Sequence, residues 1–288
     1  MAEPARQASD DAERIEEAAR DRLLVERVLR GDAAAYGELV SRHMRRAFSI
    51  AYRVVQHRED AEDVVQDAFV RALERIGTLE GGAGAVCCSS GHAAQIMALF
   101  PLMGPGRNLI ASTRLYGGTI TQFSQTIKRF GWSCKFVDLD DLDALRAAID
   151  DDTRAIFCES ISNPGGYVTD IPAVAKVAEQ AGLPLIVDNT LATPWLCKPI
   201  ELGATLVVHS LTKYMTGNGT VTGGAIVDSG RFDWSASDKF PSLSQPEPAY
   251  HGLKFHETFG ALAYTFHGIA IGLRDLGMTM NPQAAHYT

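Results

Sequence analysis

Residues 207–217, "VVHSLTKYMTG", place a lysine just after an apolar run. Two hydroxyl side chains, those of Ser210 and Thr212, stand beside Lys213. A lysine amine can bond covalently to an aldehyde, and hydroxyl groups can donate hydrogen bonds to phosphate oxygens. The same pattern also fits an ordinary lysine in a surface loop, since most lysines are exposed. The stretch alone leaves both interpretations open.

Two other stretches contain groups suited to holding a cofactor. "PLIVDNTLATP" ends an apolar run on Asp188, and ligands bind at the carboxyl edge of parallel sheets. The alternative for Asp188 is a cap at the end of a strand. "CCSSGHAAQIMALF" places Ser90, Gly91 and His92 at the predicted start of a helix, where free amide groups suit a phosphate. That stretch also fits a common turn between a strand and a helix.

The elements that must position these residues alternate between short apolar runs and helical stretches. Helical patterns such as "DLDALRAAID" and "IPAVAKVAEQAG" separate the apolar runs. This alternation predicts an α/β domain with a mostly parallel sheet and helices on both faces. The predicted strands are "NLIAS", "CKFVDL", "AIFCES", "PLIVDN", "TLVVHS" and "GGAIVDS".

The composition changes near residue 80. Residues 1–80 contain 13 arginines and no lysine, whereas all seven lysines, all five cysteines and all three tryptophans follow. Such a step indicates two segments of different origin. Apolar residues at helical spacing, with glycines at 31 and 77, predict three helices in the first segment. We therefore predict an all-α segment over 1–76 and an α/β domain over 77–288.

Charge, hydropathy and cysteine content exclude several classes of function. The net charge of −8 argues against a general surface for binding polyanions. No apolar run approaches the ~18 residues that a membrane helix needs, and the acidic N-terminus does not resemble a signal peptide. Five cysteines without CxxC spacing predict reduced thiols and no metal site. We expect a cytoplasmic protein.

Residues 10–76 resemble region 2 of an extracytoplasmic-function sigma factor. The resemblance is carried by "GD" at 31–32, by "AYRVV" and above all by "EDAEDVVQDAFVRALERI". It implies contact with RNA polymerase through the acidic helix. The continuation that reads promoter DNA in that family is absent, and no aromatic and basic platform for unstacked bases follows. Promoter recognition is therefore not expected, and a plain three-helix bundle is the alternative.

Residues 73–288 resemble the Cys/Met-metabolism family of pyridoxal-phosphate enzymes, in particular its O-acetylhomoserine (thiol)-lyase branch. Five motifs occur in family order: "SSGHAA", "LYGGT", "NP", "IVDNTLATP" and "SLTKY". The resemblance implies a fold-type I large domain, pyridoxal 5'-phosphate as cofactor and a homo-oligomer. The implied reaction is γ-replacement on O-acetylhomoserine by sulfide or a thiol.

The resemblance also implies a role for each matching residue. Lys213 would carry the cofactor and move protons, and Tyr116 would stack on its ring and assist the proton transfer. Asp188 would pair with the pyridine nitrogen, and Asn163 would contact the ring oxygen or the substrate carboxylate. The phosphate would be held by the amides of Gly91 and His92 and the hydroxyls of Ser210 and Thr212. His92 stands where the family usually has Met or Gln.

The junction "ALERIGTLEGGAGAV" matches the sequence pattern of both families. The boundary between the two segments is therefore spread over residues 72–80. No residue in the first segment matches the family's N-terminal arm, and the family's C-terminal domain would lie beyond Thr288. We therefore expect a retained cofactor site with weak or absent turnover. Two other hypotheses remain: a module that binds RNA polymerase, and a recombination product without a selected role.

Overall fold

The computed structural model describes residues 79–217 and 219–287. The predicted three-helix segment and its boundary at residue 76 lie outside the described residues. None of the helices in the described part is long and apolar enough to span a membrane. Within the same part, no group of three or more His, Cys, Asp or Glu side chains is arranged to hold a metal ion.

A seven-stranded sheet forms the centre of the described part, in the order β1-β7-β6-β5-β4-β2-β3. β7 runs antiparallel to both of its neighbours, and the remaining strand pairs are parallel. All six predicted runs are strands, which confirms the mostly parallel α/β prediction. The strands are β1 (Gly84–Cys88), β2 (Asn108–Ser112), β3 (Ser133–Val137), β4 (Thr153–Glu159), β5 (Leu185–Asp188), β6 (Leu206–Ser210) and β7 (Gly224–Asp228).

Helices connect and follow the strands. Both helices that the pattern predicted are present, as α3 and α4. A π-helical turn and a 3₁₀ turn extend α2 to Phe130, and a second π-helical stretch covers Gly268–Asp275. The α-helices are α1 (Gly91–Leu99), α2 (Gly117–Thr121), α3 (Leu142–Ala148), α4 (Ile171–Gln180), α5 (Thr193–Leu196), α6 (Pro241–Ser244), α7 (Phe255–Phe259), α8 (Ala263–His267) and α9 (Pro282–Tyr287).

The core is mostly apolar, and one buried polar cluster lies beneath the carboxyl edge of the sheet. Oε1 of Glu80 lies 2.6 Å from Nε2 of His209, and both side chains are fully buried. The same oxygen accepts a hydrogen bond from Nδ2 of Asn189 at 3.0 Å. The Asn189 side chain also accepts one from the hydroxyl of Ser160 at 2.8 Å. This cluster fixes Glu80, from the junction sequence, against the ends of β4, β5 and β6.

The parallel strands end at the same edge of the sheet, which brings distant chain positions together. Glu159, at the end of β4, pairs in register with Asp188, at the end of β5. β6 is hydrogen-bonded to β5 and ends at Ser210. Carboxyl ends of adjacent parallel strands are where α/β proteins bind ligands. This edge is therefore the candidate ligand-binding edge of the sheet.

Candidate functional site

A cavity of about 670 Å³ opens at the carboxyl edge of the sheet. All eight residues that the sequence singled out line it, although the chain separates them by up to 122 positions. Their roles stay predictions, but their convergence on one cavity is a property of the fold. The eight are Gly91, His92, Tyr116, Asn163, Asp188, Ser210, Thr212 and Lys213.

The first turn of α1 forms one wall of the cavity. Ser90 caps the helix: its Oγ accepts a hydrogen bond from the Ala93 amide at 3.1 Å, and its carbonyl accepts one from Ala94 at 2.9 Å. The amides of Gly91 and His92 precede the first intrahelical bond, so the helix offers them no acceptor. Together with the positive end of the helix dipole, they can bind a phosphate.

Gly91 allows α1 to begin directly against the end of β6. A Cβ atom at this position would lie 2.6 Å from Cβ of Ser210. A side chain would therefore push the helix start away from the strand. The Ser210 amide in turn donates to Oγ1 of Thr190 at 2.7 Å, which holds the strand end in place. The Ser210 side chain and the α1 amides consequently lie side by side.

The side chain of Lys213 carries an amine and lines the cavity. Its backbone is fixed, since its amide donates to the Ser210 carbonyl at 3.2 Å and its carbonyl accepts from Gly217 at 2.8 Å. Its side chain is exposed, and among the described residues its Nζ makes no hydrogen bond or ion pair. An amine without a competing partner is available to react with a ligand in the cavity.

The Thr212 hydroxyl is engaged with the backbone, which the sequence did not predict. Oγ1 donates to the Gly223 carbonyl at 3.2 Å and accepts from the Gly223 amide at 3.1 Å. These two bonds close the loop between β6 and β7. Because its proton already has an acceptor, the hydroxyl must leave that bond before it can donate to a phosphate.

Asp188 is half-buried, and two donors hold its carboxylate. Oδ1 accepts from the Thr190 amide at 2.9 Å, and Oδ2 accepts from Nε2 of Gln95 at 3.2 Å. Each oxygen therefore has its own partner, one from the following loop and one from α1. A carboxylate held in this way can accept a further hydrogen bond from a protonated ring nitrogen.

Tyr116 lies immediately before α2 and is 49% exposed. The ring stacks on the imidazole of His92, with centroids 6.0 Å apart and planes inclined by 28°. Gly118 leaves room for both rings, because a Cβ there would lie 2.5 Å from Tyr116 and 2.9 Å from His92. The sequence assigned only the amide of His92 to the site, so the ring contact is an addition.

Glu159 is a functional-site residue that sequence reasoning missed. Its carboxylate accepts from the Tyr116 amide at 2.7 Å and from the Asn163 amide at 2.9 Å. Burial raises the pKa of this carboxyl to about 7, against the opposing effect of the two amide bonds, and the Asp188 charge raises it further. An acid ending an apolar run, as in "AIFCES", was the signal that could have found it. The same signal had identified Asp188.

Comparison with known proteins agrees with this geometry. Residues 63–288 match the model of the family described as Cys/Met metabolism PLP-dependent enzyme. The chain belongs to this family. Residues 39–85 also match Sigma-70 region 2, so the two matches overlap over residues 63–85. Both resemblances stated from the sequence are confirmed.

Named relatives point to one branch of the Cys/Met family. Homocysteine synthase of Schizosaccharomyces pombe is 48% identical over 211 residues, which are 73% of this chain and 49% of that protein. O-acetyl-L-homoserine sulfhydrylase of Corynebacterium glutamicum is 47% identical over 219 residues, 74% of this chain and 50% of the other. The chain spans about half the length of these relatives.

A solved structure from Campylobacter jejuni, named an O-acetylhomoserine (thiol)-lyase, has the same fold. It is 39% identical with a TM-score of 0.72, over 74% of this chain and 53% of that chain. That structure contains N'-pyridoxyl-lysine-5'-monophosphate. The similarity confirms the fold-type I prediction for the described α/β part.

The groups in the cavity suit the cofactor of the Cys/Met family. A phosphorylated pyridine aldehyde needs an amine, an anion-binding group and a carboxylate for its ring nitrogen. The cavity offers Lys213, the α1 amides at Gly91 and His92, and Asp188. Gly91 is the position where a Cβ would disturb the anion-binding end. The residues therefore fit pyridoxal 5'-phosphate.

Proposed function

We propose that the chain binds pyridoxal 5'-phosphate in this cavity and catalyses γ-replacement on O-acetylhomoserine by sulfide or a thiol. The observation that carries the proposal is the unpaired Lys213 amine in a cavity that also presents the α1 amides and Asp188. The names of the relatives support the substrate class. A cytoplasmic location and a homo-oligomer form part of the proposal and rest on the resemblance to the family.

Each side chain has a separate task in this proposal. Lys213 holds the cofactor through Nζ, and the amides of Gly91 and His92 bind its phosphate. Asp188 keeps the ring nitrogen protonated, and Tyr116 packs against the ring. When bound, the cofactor supplies an electron sink for carbanion chemistry on the amino acid.

Proton movement falls to residues on the cavity wall. Protons must be removed from Cα and Cβ before acetate leaves from Cγ. Sulfide or the thiol then adds at Cγ, and the protons are returned to Cβ and Cα. Among the described residues, Lys213 has the only lysine amine that lines the cavity, so we assign these transfers to it, with Tyr116 assisting. Asn163 is exposed at the rim, where its amide can orient the substrate carboxylate or the ring oxygen.

The first test is the covalent site. The purified full chain, mixed with pyridoxal 5'-phosphate and reduced with borohydride, is expected to carry a pyridoxyl group on Lys213, located by peptide mass spectrometry. Lys213→Ala should lose both the label and the visible absorbance. Lys176→Ala, which removes an exposed lysine of α4 outside the cavity, is the matched control and should retain both. Labelling of other lysines alone, or no labelling, would refute the proposal.

The second test is the reaction. Release of acetate from O-acetylhomoserine is measured with and without sulfide, together with formation of homocysteine. The proposal requires both products to depend on Lys213. Acetate release without carbon–sulfur bond formation would leave an elimination reaction and would contradict γ-replacement.

The match to Sigma-70 region 2 over residues 39–85 favours a second candidate function. We propose that the segment 1–76 contacts RNA polymerase without reading promoter DNA. Core RNA polymerase from a bacterium is expected to retain the full chain at low salt. Replacing the acids of "EDAED" (residues 59–63) by their amides should reduce this retention, because the acidic helix is the proposed contact. No retention at low salt would exclude this function.

A further inference from the structure

Gln95 joins three elements that contribute to the cavity. It lies on α1 and is 3% exposed. Its Nε2 donates to Oδ2 of Asp188 at 3.2 Å and to Oγ1 of Thr119 at 3.0 Å. Asp188 ends β5, and Thr119 lies on α2, three positions after Tyr116. One amide group therefore connects the anion-binding helix, the carboxylate and the helix that follows the stacking ring.

The orientation of this amide is fixed by its partner. A carboxylate only accepts hydrogen bonds, so Nε2 must face Asp188, and exchanging the nitrogen and oxygen of Gln95 would bring two acceptors together. The Oε1 atom is buried and makes no hydrogen bond among the described residues. All of the directed bonding of Gln95 is consequently made by its nitrogen.

The unpaired oxygen indicates that Gln95 is not optimal for packing. A buried amide oxygen without a partner destabilises the folded state, and an apolar side chain of the same length would avoid that cost. What an apolar side chain cannot supply is the N–H donor to Asp188. Residues that serve a site at the expense of stability show this pattern.

The Asp188 carboxylate depends on this donor for its orientation. Its other hydrogen bond, from the Thr190 amide, reaches only Oδ1. Without Gln95, Oδ2 would have no protein donor among the described residues, and the half-buried carboxylate could rotate about its Cβ–Cγ bond. A rotated carboxylate presents its oxygens in the wrong direction for a ring nitrogen in the cavity.

We propose that Gln95 is a positioning residue that orients the Asp188 carboxylate toward the cofactor ring and links it to α2. This inference rests on the proposed function, since it assigns the ring nitrogen to Asp188. It adds a residue outside the eight predicted from the sequence. It also predicts that removal of the amide weakens cofactor binding by more than the change in stability accounts for.

The test replaces Gln95 by an apolar residue of similar length and measures binding and stability separately. Gln95→Met is expected to raise the dissociation constant of pyridoxal 5'-phosphate about tenfold or more, the usual cost of losing a hydrogen bond to a charged group. The melting temperature of the cofactor-free chain should fall by about as much as in the control variant below, since each variant removes one unpaired oxygen and the hydrogen bonds of one Nε2 atom. Both are measured on the full chain, by visible absorbance and by circular dichroism.

Gln122→Met is the matched control. Gln122 also has a buried Oε1 that makes no hydrogen bond within the described part of the chain. Its Nε2 donates to the backbone carbonyl of His92 at 3.2 Å and not to Asp188. This variant should bind the cofactor within about twofold of the wild type, well inside the change expected for loss of a charged hydrogen bond. An equal loss of affinity in the two variants would overturn the inference.

The remaining outcomes separate this inference from the proposed function. If the wild type binds and Gln95→Met binds equally well, Gln95 does not position Asp188 and only the inference fails. If Gln95→Met loses affinity and its melting temperature falls well below that of Gln122→Met, the role is structural and the inference also fails. If the wild type itself does not bind pyridoxal 5'-phosphate, the proposed function fails and takes the inference with it.

Discussion

Replacing Glu159 by glutamine should change how the stability of the chain depends on pH. Burial raises the pKa of this carboxyl from 4.5 to about 7 in the folded state. Between these values the folded state holds a proton that the unfolded state has lost. The free energy of unfolding must therefore fall as pH rises through this window. The difference between 4.5 and about 7 corresponds to about 3 kcal/mol, or about 1.4 kcal/mol per pH unit.

Two further buried groups contribute to the wild-type slope. Burial also raises the pKa of Asp228 from 3.8 to about 7, so this residue acts in the same direction as Glu159. Burial lowers the pKa of His267 from 6.5 to about 4, so this residue opposes the decline up to about pH 6.5. We expect Glu159→Gln to reduce the downward slope by about 1.4 kcal/mol per pH unit between pH 5 and 7. Asp228→Asn should remove a comparable part. The assay is urea denaturation of the cofactor-free chain at several pH values.

The raised pKa of Glu159 is tested by how the free energy of unfolding changes with pH, and not by its absolute value. Glutamine has one acceptor oxygen, so the amide of either Tyr116 or Asn163 loses its partner and the variant is less stable at low pH as well. Glu179→Gln, which neutralises an exposed carboxylate on α4, is the control and should keep the wild-type slope. If the free energy of unfolding of Glu159→Gln changes with pH as steeply as that of the wild type across pH 5–7, the Glu159 carboxyl does not hold a proton in the folded state.

Two glycine substitutions test the packing around the cavity. Gly91→Ala should weaken binding of pyridoxal 5'-phosphate about tenfold, because its Cβ would lie 2.6 Å from Ser210 and displace the start of α1. The affinity is measured by absorbance titration, and an unchanged affinity would refute the contact. Gly224→Ala should destabilise the chain by about 2 kcal/mol or more, because its Cβ would collide with the carbonyl of Ser90. A melting temperature equal to that of the wild type would show that Ser90 moves freely.

The sequence alone predicted much of the fold. Every predicted apolar run is a strand, since such short buried runs bounded by turn residues have few other structures available. It also predicted eight residues that line one cavity. The resemblance to the family contributed Tyr116 and Asn163, and two local patterns pointed to most of the others. One is a polar residue ending a strand, as at Asp188 and Ser210. The other is a capped helix that begins with small residues, as at Gly91.

The tertiary structure decided which residues support those eight. Gln95 and Asp188 are 93 positions apart, and their hydrogen bond exists because α1 packs near the end of β5. Glu159 receives the amide of Tyr116, 43 positions away, because β2 lies beside β4 and both strands end at the same edge. Strand order arises from long-range packing, and nothing in a local stretch of sequence encodes which distant chain end will be its neighbour. The local sequence determines which chemical groups are present and on which element they lie. The order of the strands in the sheet determines which distant groups become their hydrogen-bond partners.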